Sequence, residues 1–335
     1  MELVSRPHAA NLVRWAKDRP EVLVLSADLT ASCEADGFRD AYPDRFFSFG
    51  MAEQNLMGFA AGLAREGFVP FVHTFSVFLT RRPYDQVAMS IAYSNLPVRL
   101  VGFLPGLMTP GGVTHQAIDD LALMRALPNM TVLECADATD VETVLDVAHE
   151  LGGPVYVRML RGDVPRLFDR RDPLRLGRSR LVSDGGDVAV FSSGVCVEEA
   201  MRAGNALSAR GVRIRHLAVS TLKPFDDPTV PEAAATASRG VVTMENHLIS
   251  GGLGTAVAEL LATNGIGRKL VRLGLRDTYA HGASRAYLMR EYELDAFAVV
   301  RAVERLLGES FGISREELAA QAVGPGNSAS KAEAL

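Results

Sequence analysis

Apolar runs alternate with amphipathic segments along most of the chain. From Arg6 to Lys17 the apolar residues recur with helical spacing, and the run PEVLVLSADL after them is typical of a buried strand. The alternation continues, with further predicted strands at FVPFVHTF, PVRLVGF, TVLECA and PVYVRML and predicted helices at YDQVAMSIAYS, IDDLALMRAL and DATDVETVLDVAHEL. Strands that alternate with helices predict an α/β fold in which helices cover both faces of a mainly parallel sheet.

The same pattern divides the chain into two domains. A first domain of residues 1–170 ends at a polar segment rich in arginine, glycine and proline, and we interpret residues 171–186 of this segment as a solvated linker. A second, smaller α/β domain is predicted for residues 187–310, where strands and helices alternate again. Residues 311–335 are predicted to form a tail, and the composition from Gly324 onward is typical of disorder.

Composition and charge indicate a globular protein and argue against some classes of partner. The 335 residues suffice for two hydrophobic cores, and 35 basic against 40 acidic residues give a net charge of −5, which argues against a nucleic-acid partner. Cys33, Cys135 and Cys196 are odd in number and far apart, as is typical of buried thiols in a reducing compartment. No apolar run approaches the roughly 18 residues of a membrane span, and the N-terminus lacks the apolar core of a signal peptide. We therefore expect a cytoplasmic protein without a membrane partner.

Polar turns follow the predicted strands. In a parallel sheet, ligands bind in the crevice at the carboxyl ends of the strands. The turns that would line this crevice follow Leu25, Phe49, Thr74, Phe103 and Leu160. We therefore expect the functional side chains to lie in these turns.

Glu53 is the main candidate for chemistry. It opens a predicted helix in the stretch FFSFGMAEQNLMGFAAGL, where helical spacing puts it on one face with Met57, Ala60 and Ala64. A carboxylate directed into apolar packing is costly unless it is used there. The alternative is structural: with Gly50 as the N-cap, Glu53 would lie in the first turn and stabilise the positive end of the helix. The spacing alone leaves both interpretations open.

His115 is the second candidate. It lies in the glycine-rich loop LPGLMTPGGVTHQ after a predicted strand, where an imidazole can meet a ligand and move protons near neutral pH. A surface histidine is the alternative. The SGGLG turn at Ser250–Gly254 does not complete a dinucleotide-binding loop, and the chain contains no P-loop, H-E-x-x-H or G-x-S-x-G sequence.

Four sequence blocks resemble a known family. The chain is similar to transketolases in the order and spacing of the blocks FGMAEQNLMGFAAGLA, TFSVFLTRRPYDQVAMSIAY, GGVTHQAIDDLALMRALPNMTVL and YVRMLRGDVP. The likeness reaches to about residue 308; it is greatest to the separately encoded C-terminal subunits of split transketolases and more distant to deoxyxylulose-phosphate synthase. It implies a thiamine diphosphate pyrimidine-binding domain in residues 1–170 and a transketolase C-terminal domain in residues 187–310.

The resemblance implies roles on the cofactor side of a site. Glu53 matches the catalytic glutamate that hydrogen-bonds the aminopyrimidine ring of thiamine diphosphate, and a carboxyl in apolar surroundings is suited to share a proton with a ring nitrogen. Phe78 matches the aromatic residue that stacks on this ring, with Phe75 beside it. Asp28 matches an acidic position near the cofactor, with a turn-stabilising aspartate as the alternative.

The resemblance also implies roles on the substrate side. His115 matches a catalytic histidine that moves protons and stabilises oxyanions. Arg161 matches an arginine that holds the substrate phosphate, and Arg6 and Ser32 match two further phosphate contacts. Arginine suits this role because its planar fork binds phosphate oxygens in pairs. A sugar phosphate is therefore the implied substrate.

Three positions depart from the family pattern. Gly111 stands where transketolases have an aspartate that reads a sugar hydroxyl, and Phe103 stands where the full-length enzymes have a histidine. Leu104 replaces an arginine of deoxyxylulose-phosphate synthase. Loss of polar groups from a site that reads hydroxyls is expected to relax or redirect its selectivity.

The chain lacks the sequence with which the family binds the diphosphate. Family members hold it through Mg²⁺ with a Gly-Asp-Gly segment and a later asparagine, whereas Gly-Asp begins here only at Gly162 and Gly186, with no glycine after either pair. We therefore expect no metal ligands in this chain. A separate partner subunit is expected to carry the diphosphate-binding domain and most of the Mg²⁺ site, in an α2β2 heterotetramer.

Together these inferences predict a transferase. The expected protein is the β-type subunit of a two-component transketolase that moves a two-carbon ketol unit from a ketose phosphate to an acceptor. Two alternatives stay open. One is a decarboxylating thiamine diphosphate enzyme, either the β subunit of a 2-oxoacid dehydrogenase or a deoxyxylulose-phosphate-type synthase. The other is a non-catalytic partner that only stabilises a second subunit.

Overall fold

Two mainly parallel sheets form the cores of two domains, and the computed structural model describes residues 2–321. The strands are, in chain order, β1 (Leu3–Ser5), β2 (Val22–Ser26), β3 (Phe46–Ser48), β4 (Val69–Phe75), β5 (Arg99–Phe103), β6 (Thr131–Glu134), β7 (Val155–Met159), β8 (Asp163–Pro165), β9 (Arg180–Ser183), β10 (Val188–Ser192), β11 (Ile214–Ala218), β12 (Thr221–Lys223), β13 (Gly240–Leu248) and β14 (Leu270–Leu275).

The strand order places the first domain's polar turns side by side. Its seven-stranded sheet runs β12-β6-β7-β5-β4-β2-β3, and only the pair of β12 with β6 is antiparallel. The five-stranded sheet of the second domain runs β14-β13-β10-β11-β9, and only β9 is antiparallel to its neighbour. A separate antiparallel pair, β1 with β8, joins the N-terminus to the end of the first domain.

Helices connect the strands, and apolar cores lie on both faces of the first sheet. The helices are α1 (Pro7–Trp15), α2 (Asp36–Ala41), α3 (Glu53–Arg65), α4 (Ser76–Arg81), α5 (Tyr84–Gln86), α6 (Asp120–Ala126), α7 (Ala138–Glu150), α8 (Cys196–Ser208), α9 (Thr229–Thr236), α10 (Leu253–Thr263), α11 (Arg285–Glu291), α12 (Ala296–Leu307) and α13 (Arg315–Ala320). In β2, Val22 and Val24 pack in one core while Leu23 and Leu25 pack in the other. Successive strand residues point to opposite faces, so this strand is apolar throughout. The predicted two-domain α/β fold is confirmed.

Local details differ from the predictions. The predicted helix over Tyr84–Ser94 is the short α5 followed by a π-helical segment, Val87–Ala92. The predicted tail contains α13, and the disorder predicted from Gly324 lies outside the described residues. All three cysteines are free thiols in buried positions. In residues 2–321, no helix has the length and apolar character needed to cross a membrane.

The predicted linker is not solvated throughout. Strand β9 lies inside it and adds to the edge of the second sheet beside β11. Arg180 of this strand pairs with Asp140 of the first domain at 2.6 Å and lies over the ring of Phe168. Its side chain is 9% exposed, in contrast to 90% for Arg171 nearby, so only part of the arginine-rich run is surface.

The second domain also adds a strand to the first sheet. Thr221 and Lys223 of β12 pair with Leu133 and Val132 of β6. The ammonium group of Lys223 donates to the backbone carbonyls of Arg125 and Leu127. The two domains therefore share backbone hydrogen bonds as well as side-chain contacts.

A buried guanidinium lies where the two domains meet. Arg158 of β7 donates to both carboxylate oxygens of Asp120, at 2.5 and 2.8 Å, and to Glu134 at 2.7 Å. It also donates to the carbonyl of Ala117 and to that of Asn246 in the second domain, each at 3.2 Å. Because Arg158 and Asp120 are fully buried, removal of one partner would leave an uncompensated charge away from water.

Substitution of Arg158 tests this arrangement. Arg158→Met is expected to lower the free energy of unfolding by about 3–5 kcal/mol, because Asp120 and Glu134 lose their shared cation in the interior. Urea unfolding followed by circular dichroism measures the change. The matched control Arg171→Ala, at a 90% exposed side chain, is expected to stay within about 0.5 kcal/mol of wild type. An equal effect of the two substitutions would contradict the assignment.

Candidate active site

The carboxyl ends of β2, β3, β4, β5 and β7 lie at one edge of the first sheet. Parallel pairing in the order β7-β5-β4-β2-β3 brings them together. The predicted site residues follow these ends: Asp28 and Ser32 after β2, Glu53 after β3, Phe75 and Phe78 at the end of β4 and in α4, His115 after β5 and Arg161 after β7. Arg6 reaches the same edge because β1 pairs with β8 just beyond Arg161.

Glu53 is a buried carboxylate at the start of α3. Its side chain is 4% exposed, and the helix begins at Glu53 itself, after Ala52 rather than after the predicted cap Gly50. The first-turn position suits a negative charge, so the stabilising role at the helix end and the burial occur together. The structure adds an ion pair that the sequence did not predict: Arg82 Nη1 donates to Glu53 Oε1 at 2.5 Å.

Aromatic side chains lie beside this ion pair. The guanidinium carbon of Arg82 is 3.9 Å from the centre of the Phe78 ring. Phe78 in turn contacts Phe75, with ring centres 5.9 Å apart, and meets the edge of His115 at 5.2 Å. Glu53, Arg82, Phe78, Phe75 and His115 therefore form one connected cluster, and three of its five members are rings.

The second domain holds the loop that carries His115. In this loop, residues 104–117, the amide of Asn246 accepts from the backbone N–H of Leu107 at 2.9 Å and donates to the carbonyl of Pro105 at 3.1 Å. Gly106 has φ +58°, and a Cβ there would lie 2.3 Å from the Asn246 carbonyl oxygen. Only glycine can therefore occupy this position without a shift of the backbone.

The positions that depart from the family pattern have different surroundings. A Cβ at Gly111 would lie 3.0 Å from Cγ of His115, so the imidazole lies against the place where a larger side chain would begin. Phe103 is fully buried and packs against His8 and His73, with ring centres 5.4 and 6.0 Å away. Leu104 is buried as well. Phe103 and Leu104 are therefore core residues here; Phe103 is the strand neighbour of Phe75, while Gly111 lies against His115.

A second group of predicted residues lines a pocket of about 270 Å³. Arg6, Ser32 and Arg161 surround it together with Ala31, Glu34 and Gly162. Arg161 donates to the carbonyl of Ser32 at 2.6 Å, and Arg6 pairs with Asp36 at 2.5 Å. The pocket therefore combines two guanidinium groups, which bind anion oxygens in pairs, with the carboxyl of Glu34 in its wall. Asp28 is not among the lining residues; it is exposed in the turn after β2 with φ +64°.

Sequence reasoning missed Glu34 and Arg82. Glu34 is buried in the wall of the pocket, where it accepts from the backbone N–H groups of Gly162 and Ala9 at 2.7 and 3.3 Å, and its burial raises the pKa of its carboxyl. Both residues sit in polar stretches, the turn CEAD and the pair Arg81-Arg82, where no local periodicity shows which side chain points inward. Their adjacency to the predicted site residues was the only signal.

The described residues do not form a metal site. Within residues 2–321, no group of three or more histidine, cysteine, aspartate or glutamate side chains could hold an ion. The cluster around Glu53 and Phe78 offers a carboxylate and an aromatic face, the two groups that a planar heterocycle would contact.

Comparison with known proteins identifies the family of this chain. Residues 8–166 match the family profile "Transketolase, pyrimidine binding domain" and residues 177–299 match "Transketolase, C-terminal domain". The chain belongs to the transketolase family.

The relatives of this chain include separately encoded transketolase subunits. The chain is 38% identical over 298 residues to the "6-deoxy-6-sulfo-D-fructose transketolase subunit SqwH" of Clostridium sp., which covers 88% of this chain and 91% of the relative. It is 34% identical over 299 residues to a "putative transketolase C-terminal section" of Methanocaldococcus jannaschii, covering 88% and 93%. A solved "split gene transketolase, inactive beta4 tetramer" superposes with a TM-score of 0.81 at 38% identity, covering 90% of this chain and 97% of the other.

A buried histidine pair beneath the cluster predicts a pH dependence. His73 Nδ1 faces the carbonyl of Phe71 at 3.1 Å and so carries a hydrogen, which leaves its Nε2 to accept from His8 Nε2 at 3.0 Å. Burial lowers the pKa of His73 to about 4. The unfolded chain, with a histidine pKa of about 6.5, binds a proton that the native chain excludes, so stability is lost as the pH falls from about 6.5 to 4.

The substitution His73→Gln removes this titration and keeps an amide for hydrogen bonding. Between pH 6.5 and 4, the slope of unfolding free energy against pH is expected to fall by about one proton, or about 1.4 kcal/mol per pH unit. Urea unfolding at several pH values measures the slope for each protein. An unchanged slope would show that His73 is protonated in the native state.

Proposed function

We propose that this chain is the β-type subunit of a two-component, thiamine diphosphate-dependent transketolase that transfers a two-carbon ketol unit from a ketose phosphate to an acceptor. The observation that carries the proposal is the Glu53 carboxylate, which is 4% exposed and lies near the carboxyl ends of the strands, in one cluster with the ring of Phe78. A buried acid next to an aromatic face suits a planar heterocycle with a basic nitrogen.

The cluster fits the aminopyrimidine half of the cofactor. When bound, thiamine diphosphate supplies the thiazolium carbon that takes up the ketol unit. Glu53 hydrogen-bonds a ring nitrogen and holds or moves a proton there, while Phe78 stacks on the ring and Phe75 packs behind Phe78. A carboxylate at this depth is screened little by water, which strengthens its effect on the ring.

The remaining residues act on the substrate. His115, at the edge of the Phe78 ring, donates or accepts protons at the substrate oxygen and stabilises negative charge that develops there. Arg161, Arg6 and Ser32 bind the terminal phosphate of the sugar in their pocket. The ring cluster and the anion pocket lie along the same sheet edge, so the two ends of one substrate have separate contacts.

A partner subunit supplies the diphosphate half and the Mg²⁺ site. The similarity to a C-terminal section and to a β4 assembly described as inactive supports this division. An α2β2 heterotetramer is the assembly that the proposal favours.

An exposed apolar surface next to Glu53 supports the same partner. Met51, two residues before Glu53, is 80% exposed, and Phe59 of α3 is 41% exposed. Met89 and Tyr93, in and just after the π-helical segment that packs on α3, are 56% and 77% exposed. Several large apolar side chains left in water on neighbouring elements are typical of a surface that another protein covers.

The Glu53 assignment is tested in the reconstituted pair. The adjacent reading frame, if it carries Gly-Asp-Gly and a later asparagine, supplies the partner. Glu53→Ala is expected to slow exchange of the cofactor's thiazolium C2 hydrogen with D2O by about 100-fold or more, because the proton contact at the ring nitrogen is lost. Nuclear magnetic resonance of the quenched cofactor measures the exchange rate.

Two controls make this test specific. Glu66→Ala changes an exposed glutamate at the other end of α3 and is expected to leave exchange unchanged. Size-exclusion chromatography checks that Glu53→Ala still binds the partner. Near-normal exchange in an intact Glu53→Ala pair would exclude the proposed role. Release of CO2 from pyruvate by the wild-type pair, without ketol transfer, would instead favour a decarboxylating enzyme.

The anion pocket is tested with two ketol donors. Arg161→Ala is expected to raise KM for fructose 6-phosphate by about 10- to 100-fold, the loss of a charged hydrogen bond of about 1.5–3 kcal/mol. Hydroxypyruvate has no phosphate, so its KM is expected to stay unchanged. Steady-state kinetics of the pair compare both donors with the control Arg171→Ala. An equal loss for both donors would mean that Arg161 supports the fold and not the phosphate.

A further inference from the structure

We propose that Arg82 is a placeholder in the cofactor site: in the chain by itself its guanidinium occupies the place of the aminopyrimidine ring, and it leaves when the ring binds. This inference rests on the proposed function. It concerns a residue next to the catalytic cluster that neither the sequence motifs nor the family comparisons assign a role.

Two contacts define the place that Arg82 occupies. Its Nη1 donates to Glu53 Oε1 at 2.5 Å, and its guanidinium carbon lies 3.9 Å from the centre of the Phe78 ring. These are the two groups that the proposed function assigns to the aminopyrimidine, one as proton partner and one as stacking surface. A ring cannot stack on the same face of Phe78 while a planar group lies 3.9 Å above it.

The chemistry of the two groups explains the exchange. A guanidinium is planar, stacks on aromatic faces and presents N–H donors in one plane to a carboxylate. An aminopyrimidine is also planar and meets the same carboxylate through a shared proton. Glu53 is 4% exposed, and a carboxylate at that depth without a partner is strongly disfavoured. Arg82 pairs with this carboxylate until the ring binds and replaces it.

Arg82 is free to leave, because its side chain is 45% exposed. Its backbone is anchored separately, since the carbonyl accepts from the Gln54 side chain at 3.3 Å. The side chain can therefore rotate into solvent without movement of the helices. The ion pair and the stacking contact are then exchanged for the same two contacts with the ring.

The neighbouring arginine provides a matched control. Arg81 donates through Nε to both oxygens of Asp119 at 3.0 and 3.1 Å, just before α6. It has the same charge and the adjacent sequence position, but its guanidinium pairs with Asp119, away from Glu53 and Phe78. Loss of Arg81 therefore changes local charge without uncovering the ring face.

The test uses thiamine, which contains the aminopyrimidine but no diphosphate, and the purified chain without a partner. If Arg82 occupies the place in about nine of ten molecules, Arg82→Ala is expected to bind thiamine about 10-fold tighter than wild type. Arg81→Ala is expected to match wild type. Arg82→Lys is expected to fall between, because an ammonium pairs with Glu53 but covers less of the ring. Saturation-transfer nuclear magnetic resonance or equilibrium dialysis gives the dissociation constants.

A decrease in thiamine affinity in Arg82→Ala would identify a competing role for Arg82. If Arg82 stays in place as a permanent counterion that orients Glu53 for the ring, Arg82→Ala weakens thiamine binding. Three results each overturn the proposed displacement of Arg82: weaker thiamine binding by Arg82→Ala, an affinity within twofold of wild type, or no measurable binding by either protein. Circular dichroism confirms folding, and Arg82→Gln replaces the alanine variant if that variant is unfolded.

The readouts separate this inference from the proposed function. Glu53→Ala in the Arg82→Ala background is expected to abolish the gain in thiamine affinity. Suppose that C2 hydrogen exchange in the reconstituted pair depends on Glu53, while Arg82→Ala leaves the thiamine affinity unchanged. This result would keep the proposed function and reject the displacement of Arg82 by the ring. Loss of the Glu53 dependence in the pair would reject the proposed function itself.

Discussion

Burial of one positive charge constrains how the two domains fit together. Arg158 is inaccessible to water and is compensated by Asp120 and Glu134 from its own domain and by the Asn246 carbonyl from the other. Burial by itself would raise the pKa of Asp120, but the Arg158 charge outweighs it and the pKa is lowered. Since compensation of buried charges depends steeply on geometry, the domains have little freedom to slide or rotate. The strand ends beside β7 are fixed by the same contacts.

The fixed domain arrangement also holds the candidate site in place. All of the predicted site residues belong to the first domain, yet the loop that carries His115 is held by Asn246 and by a hydrogen bond from Gln116 to the carbonyl of His281. A long loop with several glycines would otherwise sample many conformations. The second domain thus acts on the site by reducing the freedom of one loop, without a side chain of its own among the predicted contacts.

The sequence was sufficient for the regular parts and insufficient where side chains from distant elements meet. Apolar spacing predicted β2, β4, α3 and α7, because each of them buries an apolar face of its own. The burial of Glu53 also followed from helical spacing. Its pairing with Arg82 did not, because 29 residues separate them and the contact depends on how the segment that follows α4 lies against the start of α3. The strand β12 was missed for the same reason: its pairing partner lies in the other domain and leaves no local pattern.

That borrowed strand has a consequence for how the polypeptide matures. An uncovered sheet edge carries unsatisfied backbone groups and invites pairing with foreign strands. Within residues 2–321, the outer side of β6 pairs with Thr221–Lys223, so we expect this side of β6 to stay unpaired until the following domain has been synthesised. A chain truncated after the first domain is expected to expose the same unpaired backbone groups and to aggregate more readily than the full chain.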